Sequence, residues 1–300
     1  MSNPLRRMQA LFEPRKGHVA SPVTLMTSHQ SGDVPIYRSA DERLPLVHST
    51  STFIAKPYQQ WAQQNWHLGV LISISYVVLI FLGQRFMKNR PVYNLKRELI
   101  AWNLALAIYS VLAFYHALPE MLQSLHESGL HGSYCKTGNQ FSGIAGLWHL
   151  YFVGSKVMEL GDTLFLVLRK RPVIFLHWYH HAIVCAFSVY YYGYGNASAR
   201  WGLVMNTFVH SCMYSYYGLR AYGVSLPKWL SMCITSMQVV QMIIGSLVCS
   251  AVTLNLLFGD QSCEVSPSVA AIQVLMYLSF LLLFGKLFRD MYLVKKNKAE

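Results

Sequence analysis

Three histidines stand in the stretch "LHWYHHAIVC", residues 176–185, whose other residues are mostly oily. His177, His180 and His181 are spaced i, i+3 and i+4, so a helix carries all three on one face. Imidazole can ligate a metal, act as a base near neutral pH, or attack a thioester and later leave well. Neighbouring apolar runs carry polar residues at the same helical steps. In "SKVMELGDTLF", Lys156, Glu159 and Asp162 are three apart and span an arc of about 120° at ~3.6 residues per turn. In "NTFVHSCMYSYY", residues 206–217, the residues Asn206, His210, Met213, Tyr214 and Tyr217 form one stripe. Thr235, Gln238 and Gln241 follow at three-residue spacing.

Metal chemistry is the first option. An HxxHH box can offer two or three imidazoles to iron or zinc. A membrane di-iron lipid oxidase needs several such boxes, and this chain has one. His116, His149 and His210 are scattered singly, and zinc held by His177, His181 and His210 would lack an accompanying HExxH. The expectation is no metal and no cofactor. Covalent acid–base chemistry suits the set better. A buried Asp or Glu beside imidazole fixes its tautomer, and Asn, Gln or Tyr donors can hold a thioester carbonyl or an enolate oxygen. Cys212, two residues from His210, turns to the opposite helix side and reads as core. Two readings without chemistry compete: an ion-pair ladder through Lys156, Glu159 and Asp162, and an interhelical hydrogen-bond network. A seven-span receptor or transporter would also carry polar residues inside its bundle.

The elements that must position these groups are membrane helices. Hydrophobic residues make up 53% of the 300 residues and charged ones 13%, against roughly 25% charged in soluble domains. The apolar runs predict an all-α membrane protein with seven spans, near 67–84, 98–118, 143–168, 173–192, 200–220, 228–250 and 269–288. The net charge of +12 sits in short clusters between spans, which is the placement rule for cytoplasmic loops and not a nucleic-acid surface. Arg85, Lys88, Arg90, Lys96, Arg97, Arg169, Lys170, Arg171, Arg220 and Lys228 fall in alternate loops. The C-terminus is therefore expected in the cytosol and the N-terminal tail across the membrane.

Residues 1–64 read as a disordered tail, rich in proline and without an apolar period or a cleavable signal peptide. The spans occupy 65–292, and 293–300 form a basic end with Lys296 and Lys298 placed like a dilysine retrieval signal. Cys135 and Cys263 lie in two cation-poor loops on the far side, where an oxidising compartment would permit a disulfide. Cys185, Cys212, Cys233 and Cys249 lie within spans. Asn196-Ala-Ser198 is a glycosylation sequon close to the bilayer.

Taken together, these motifs make the chain resemble the ELO family of fatty-acid elongases of the endoplasmic reticulum. KxxExxDT is present as Lys156, Glu159, Asp162 and Thr163, and HxxHH as His177, His180 and His181. NxxxHxxMYxYY is present as Asn206, His210, Met213, Tyr214, Tyr216 and Tyr217, and TxxQxxQ as Thr235, Gln238 and Gln241. The resemblance covers about residues 60–300. It implies condensation of an acyl-CoA with malonyl-CoA to 3-ketoacyl-CoA, CO2 and CoA, and six of seven spans forming a barrel around an acyl tunnel. It also implies His180 as acyl carrier, His210 at the enolate, and Glu159 and Asp162 orienting histidines with Lys156 balancing charge. Asn206, Tyr214, Tyr217, Gln238 and Gln241 would contact substrate, and Arg169, Lys170, Arg171 and Lys228 would meet the CoA phosphates. A homodimer, and assembly with the reductases and dehydratase of the cycle, are implied in the same way. Trp178 and Tyr179 within the box resemble the branch acting on saturated and monounsaturated chains.

Overall fold

The structure is a computed structural model that describes residues 52–259 and 263–294. Nearly all of them are helical, and among the described residues the only β pairing is an isolated bridge between Ile54 and Ser142. The helices are α1 Lys56–Gln64, α2 Trp66–Met87, α3 Lys96–Cys135, α4 Gly143–Met158 and α5 Gly161–Leu168. There follow α6 Phe175–Tyr194, α7 Ala199–Tyr222, α8 Lys228–Phe258 and α9 Pro267–Phe288, which ends in a π turn, Arg289–Leu293. A helix lies at each predicted span, and the third is broken in two.

Helices α2, α3, α8 and α9 are long and apolar enough to cross a membrane. The site's polar stripes dilute α6 and α7, and the break leaves α4 and α5 short. Large apolar side chains cover the outside: Leu79, Leu82, Leu247, Leu275 and Leu282 are exposed, Leu282 by 76%. Water would not tolerate so much apolar surface, whereas lipid does. The chain is an all-α membrane protein.

Packing closes a ring. Helix α3 lies along α7, α7 touches α8, α8 lies along α9, α9 meets α6, α6 meets α4, and α4 returns to α3. Helix α2 lies outside this ring, against α6 and α5. One end of the ring carries Arg169, Arg171 and Arg220. At the other end Cys135 and Cys263 form a disulfide, the Glu264 amide donates to the Cys135 carbonyl (2.6 Å), and the Ala197 amide donates to the Glu264 carbonyl (3.2 Å). Arg200, 1% exposed, pairs there with Glu120 at 3.1 Å.

Two boundaries differ from expectation. The tail does not run to residue 64: Pro57 opens α1, Ala62 is buried, and α1 packs on α6, where Gly193 lets the backbones approach closely. Residues 1–51, which hold most of the predicted tail, and the lysines at 296 and 298 lie outside the described residues. The third span breaks at Glu159 and Leu160, where i→i−3 bonds take over: Leu160 to Val157 (3.2 Å), Asp162 to Glu159 (3.1 Å) and Thr163 to Leu160 (3.2 Å). Such a tightened stretch brings side chains three apart nearly into line. Gly161 sits under the Trp102 ring, where a β-carbon would collide.

Candidate active site

Three buried side chains, Lys156, Glu159 and His210, and the half-buried Asn206 face one another in a ring of polar contacts. Lys156 Nζ donates to Glu159 Oε1 (2.8 Å) and to Asn206 Oδ1 (2.7 Å). That fixes the Asn206 amide, so its Nδ2 faces His210 Nε2 at 3.1 Å as donor. His210 Nδ1 then points back to Glu159 Oε1 at 3.7 Å. An imidazole that accepts on Nε2 carries its proton on Nδ1, beside the carboxylate. Ser155 Oγ adds a bond to the same oxygen (3.2 Å). The circuit draws on α4, the break and α7. Glu159 is 3% exposed and lines neither cavity described below.

Asp162 departs from expectation. It meets no histidine: Trp102 Nε1 donates to Oδ1 (2.6 Å) and the Tyr214 hydroxyl to Oδ2 (2.8 Å). Asp162 lies past the break, in the first turn of α5, so its carboxylate meets α3 and α7 instead of the histidine box. The neighbouring Thr163 meets the box instead, its Oγ1 lying 2.9 Å from His177 Nε2 and 2.7 Å from the Tyr76 hydroxyl. Trp102 and Tyr76 are site residues that sequence reasoning missed. Each is a lone aromatic in an apolar run, with no spacing to mark it.

His180 is held differently from its neighbours. It touches the rings of His181 (centroids 5.6 Å), Phe280 (4.8 Å) and Phe284 (6.0 Å). No described residue hydrogen-bonds its ring nitrogens. The His181 ring lies tilted against His177, centroids 4.5 Å apart, also without a hydrogen bond.

Two cavities meet at this level. A wide one of about 830 Å³ is lined by Asp162, His177, His180, His181 and His210, and reaches Arg169, Arg171 and Arg220 at the cationic end. Tyr214, Tyr217, Thr235 and Gln238 line it as well. A narrow one of about 70 Å³ runs between Lys156, His180 and Phe280 on one side and Tyr191 and Asn196 on the other. His180, Asn206, Gln241 and Met242 line both. Of the four expected mouth cations, Lys170 and Lys228 line neither cavity. Lys170 has a left-handed backbone (φ 51°) and donates to the Lys88 carbonyl (3.1 Å). Arg220, one helical turn past Tyr216, stands at the mouth in their place. Gln238 Nε2 rests on Met213 Sδ at 3.4 Å.

The described residues contain no group of three or more His, Cys, Asp or Glu side chains placed to hold a metal. The arrangement offers a fixed, hydrogen-bonded polar circuit opposite an imidazole with free nitrogens, where a wide polar-mouthed cavity meets a narrow apolar one. Such a place suits a carbonyl on a long apolar tail.

Known proteins are similar to this chain in sequence over most of its length. A very long chain fatty acid elongase 6 of Drosophila melanogaster is 41% identical over 243 residues, 80% of this chain and 77% of its own length. A long chain fatty acid elongase 2 of Caenorhabditis elegans is 39% identical, covering 78% of this chain and 86% of its own. A very long chain fatty acid elongase 3 of Homo sapiens is 35% identical, covering 82% and 91%. Residues 61–300, the whole ring of helices with its four polar stripes, match the ELO: GNS1/SUR4 family, and the chain belongs to it.

Proposed function

We propose that this fatty-acid elongase, a condensing enzyme of the 3-ketoacyl-CoA synthase type, builds its new carbon–carbon bond in two half-reactions on His180. In the first, a free imidazole nitrogen attacks the acyl thioester carbonyl, the C–S bond breaks, and CoA leaves with a proton, giving an acyl-imidazole. In the second, malonyl-CoA loses CO2 and its enolate carbon attacks the held acyl carbonyl. The C–N bond then breaks, the departing ring nitrogen takes up a proton to restore neutral His180, and 3-ketoacyl-CoA leaves. Both half-reactions are redox-neutral and need no cofactor.

One observation carries this reading: His180 lines both cavities while no described residue occupies its ring nitrogens. A nucleophile needs an unengaged lone pair, and an acyl carrier must face the apolar pocket and the CoA entrance together. In the same reading His210, aligned by Asn206 and Glu159, steadies the enolate or moves its proton. Gln241 and Asn206 offer amide donors to the carbonyl oxygen, and Lys156 balances the Glu159 charge. His177 and His181 hold the box around the reacting atoms. Tyr214, Tyr217 and Gln238 guide substrate through the wide cavity. Arg169, Arg171 and Arg220 meet the CoA phosphates, with Lys170 and Lys228 adding to the attracting field. A closed, water-poor pocket protects the acyl-imidazole from hydrolysis.

The substrate class we assign is long-chain saturated or monounsaturated acyl-CoA, on the pattern of Trp178 and Tyr179. The protein is placed in the endoplasmic reticulum membrane with the cationic end and C-terminus in the cytosol and the disulfide end in the lumen. A homodimer working with the cycle's reductases and dehydratase completes the proposal.

The test is radiolabelled malonyl-CoA incorporation by purified protein with palmitoyl-CoA, beside His180→Ala, with peptide mass spectrometry of protein treated with acyl-CoA alone. The expected result is 3-ketoacyl-CoA from the parent protein, none from the variant, and an acyl adduct on His180. An adduct on another residue, or full activity without His180, would overturn the scheme.

A further inference from the structure

Asp162 is the motif carboxylate that the two half-reactions leave without a task. It lines the wide cavity, yet both its oxygens are taken, Oδ1 by Trp102 Nε1 (2.6 Å) and Oδ2 by the Tyr214 hydroxyl (2.8 Å). The donors come from α3 and α7, so a carboxylate at the start of α5 ties three helices together. Tyr214 is 2% exposed and stands one turn past His210, its ring perpendicular to the imidazole (centroids 5.3 Å, planes at 87°). Asn206 meets His210 Nε2 at 3.1 Å, whereas Nδ1 is 3.7 Å from Glu159, beyond a hydrogen bond. One hydrogen bond leaves an imidazole able to tilt, and the Tyr214 ring, anchored at its hydroxyl, packs against it. Trp102 lines neither cavity. Its ring sits over Gly161, where a β-carbon would lie 2.6 Å from it, and beside Phe165 (centroids 5.8 Å).

We propose that Trp102 is a positioning residue for the condensation half-reaction: through Asp162 it fixes Tyr214, and through Tyr214 it holds His210 at the angle the enolate step needs. This rests on the two-step reading above. Hydrogen bonds to a carboxylate are strong and directional, and two donors on opposite oxygens fix its plane. Without the indole donor the carboxylate can turn towards the cavity, taking the Tyr214 hydroxyl with it and releasing the ring from His210. His180 is placed by Phe280, Phe284 and His181, none of which bonds Trp102, Asp162 or Tyr214. Formation of the acyl-imidazole is therefore independent of the brace.

The test separates the half-reactions. Acylation is read as the burst of CoA released from palmitoyl-CoA without malonyl-CoA, and condensation as the rate of 3-ketoacyl-CoA formation once malonyl-CoA is added to the acylated protein. Trp102→Phe keeps a ring over Gly161 and removes the donor, while Gly161→Ala keeps the donor and displaces the ring. Both should acylate within about twofold of the parent and condense about tenfold or more slowly, part of the ~10²–10⁴ that a positioned acid–base group is worth. The double variant should condense no more slowly than the worse single, since both changes break one link. Condensation at the parent's rate in either folded variant overturns the inference. Equal slowing of both half-reactions also overturns it, because the site would then have loosened as a whole. Failure of both variants to fold counts against it too, since a brace that only aligns His210 is dispensable for folding. A parent protein that releases no CoA without malonyl-CoA would instead strike the two-step reading.

Discussion

Removing one charge from the buried circuit should show how strongly the site is held. Lys156 and Glu159 are each 3% exposed, and Ser155, Lys156 and His210 all converge on the same Glu159 oxygen. Glu159→Gln keeps the shape and one acceptor but leaves the Lys156 ammonium without its countercharge in a dry interior. Breaking a buried pair from one side costs about 3–5 kcal/mol. A chain of 300 residues loses roughly 1.6 °C of thermal midpoint per kcal/mol, so the midpoint should fall by about 5–8 °C. Lys156→Met should do the same from the other side. The double variant should lose much less than the sum, because neither charge is then stranded. The assay is thermal unfolding in detergent for the four proteins of the cycle, with kcat and KM for each that folds. His210 loses its alignment in both singles, so kcat should fall well before KM rises. Additive single losses below about 1 kcal/mol each would refute the reasoning, because they would mean water reaches the pair.

The disulfide closes a sequence separation of 128 residues, for which chain-entropy arguments give at most about 5 kcal/mol; Cys135→Ser with Cys263→Ser should lower the thermal midpoint, and a non-reducing peptide map should show the pair in the parent protein. Asn196 is 1% exposed, with its amide donating to Gln273 (2.9 Å) and its oxygen accepting from Ser198. The sequon should therefore carry no glycan in the folded protein, and an intact mass unchanged by glycosidase checks it. Hydrogen bonds from the Thr137 hydroxyl and amide hold the Glu264 carboxyl below its ordinary 4.5. Its stabilisation is present above the unfolded-state value and is lost as pH falls through the lower folded-state value. Thr137→Val removes the hydroxyl bond, so the gap between parent and variant midpoints should be constant at neutral pH and close in acid, which a pH series of unfolding curves would show.

Polarity in lipid is costly, and that is why so much of the site was legible before any coordinates. An ionisable or amide side chain in an apolar run stands out, and its helical spacing states which residues share a face. His180, His210, Asn206 and Gln241 were found in this way, and they do line one cavity. Spacing describes one unbroken helix, and Asp162 shows the consequence. Counted along a continuous span it belongs with Lys156 and Glu159, but past the break its carboxylate is taken by Trp102 of α3 and Tyr214 of α7. Trp102 and Tyr76 carried no signal, because an aromatic in a membrane span is ordinarily core or lipid-facing. Their positions depend on which helix lies opposite, and for Trp102 on the small Gly161 across the gap. Helix α1 was missed for a related reason. Nine residues without an apolar run have little helical persistence alone, and α1 exists because α6 offers Gly193 as a landing place;.

The contrast between His180 and His210 explains why one box needs three other motifs around it. Most polar groups in the circuit face another, Lys156 bonded to both Glu159 and Asn206 and Asn206 to His210, which lets the circuit sit in a low-dielectric interior. That satisfaction also immobilises it: His210 is committed to one tautomer by Asn206 and Glu159. A group so committed can orient charge or pass a proton along a fixed line, but its lone pair is already engaged. His180 is placed by shape, between Phe280, Phe284 and His181, and keeps both nitrogens open. Positioning by rings costs no lone pair, whereas positioning by hydrogen bond costs one. A nucleophile in a membrane interior is therefore expected where aromatic contacts replace polar ones, beside a circuit whose polar groups face one another. Among the three box histidines, His177 is bonded to Thr163 and His181 does not line the narrow pocket. His180 alone of the three combines open nitrogens with a face on both cavities.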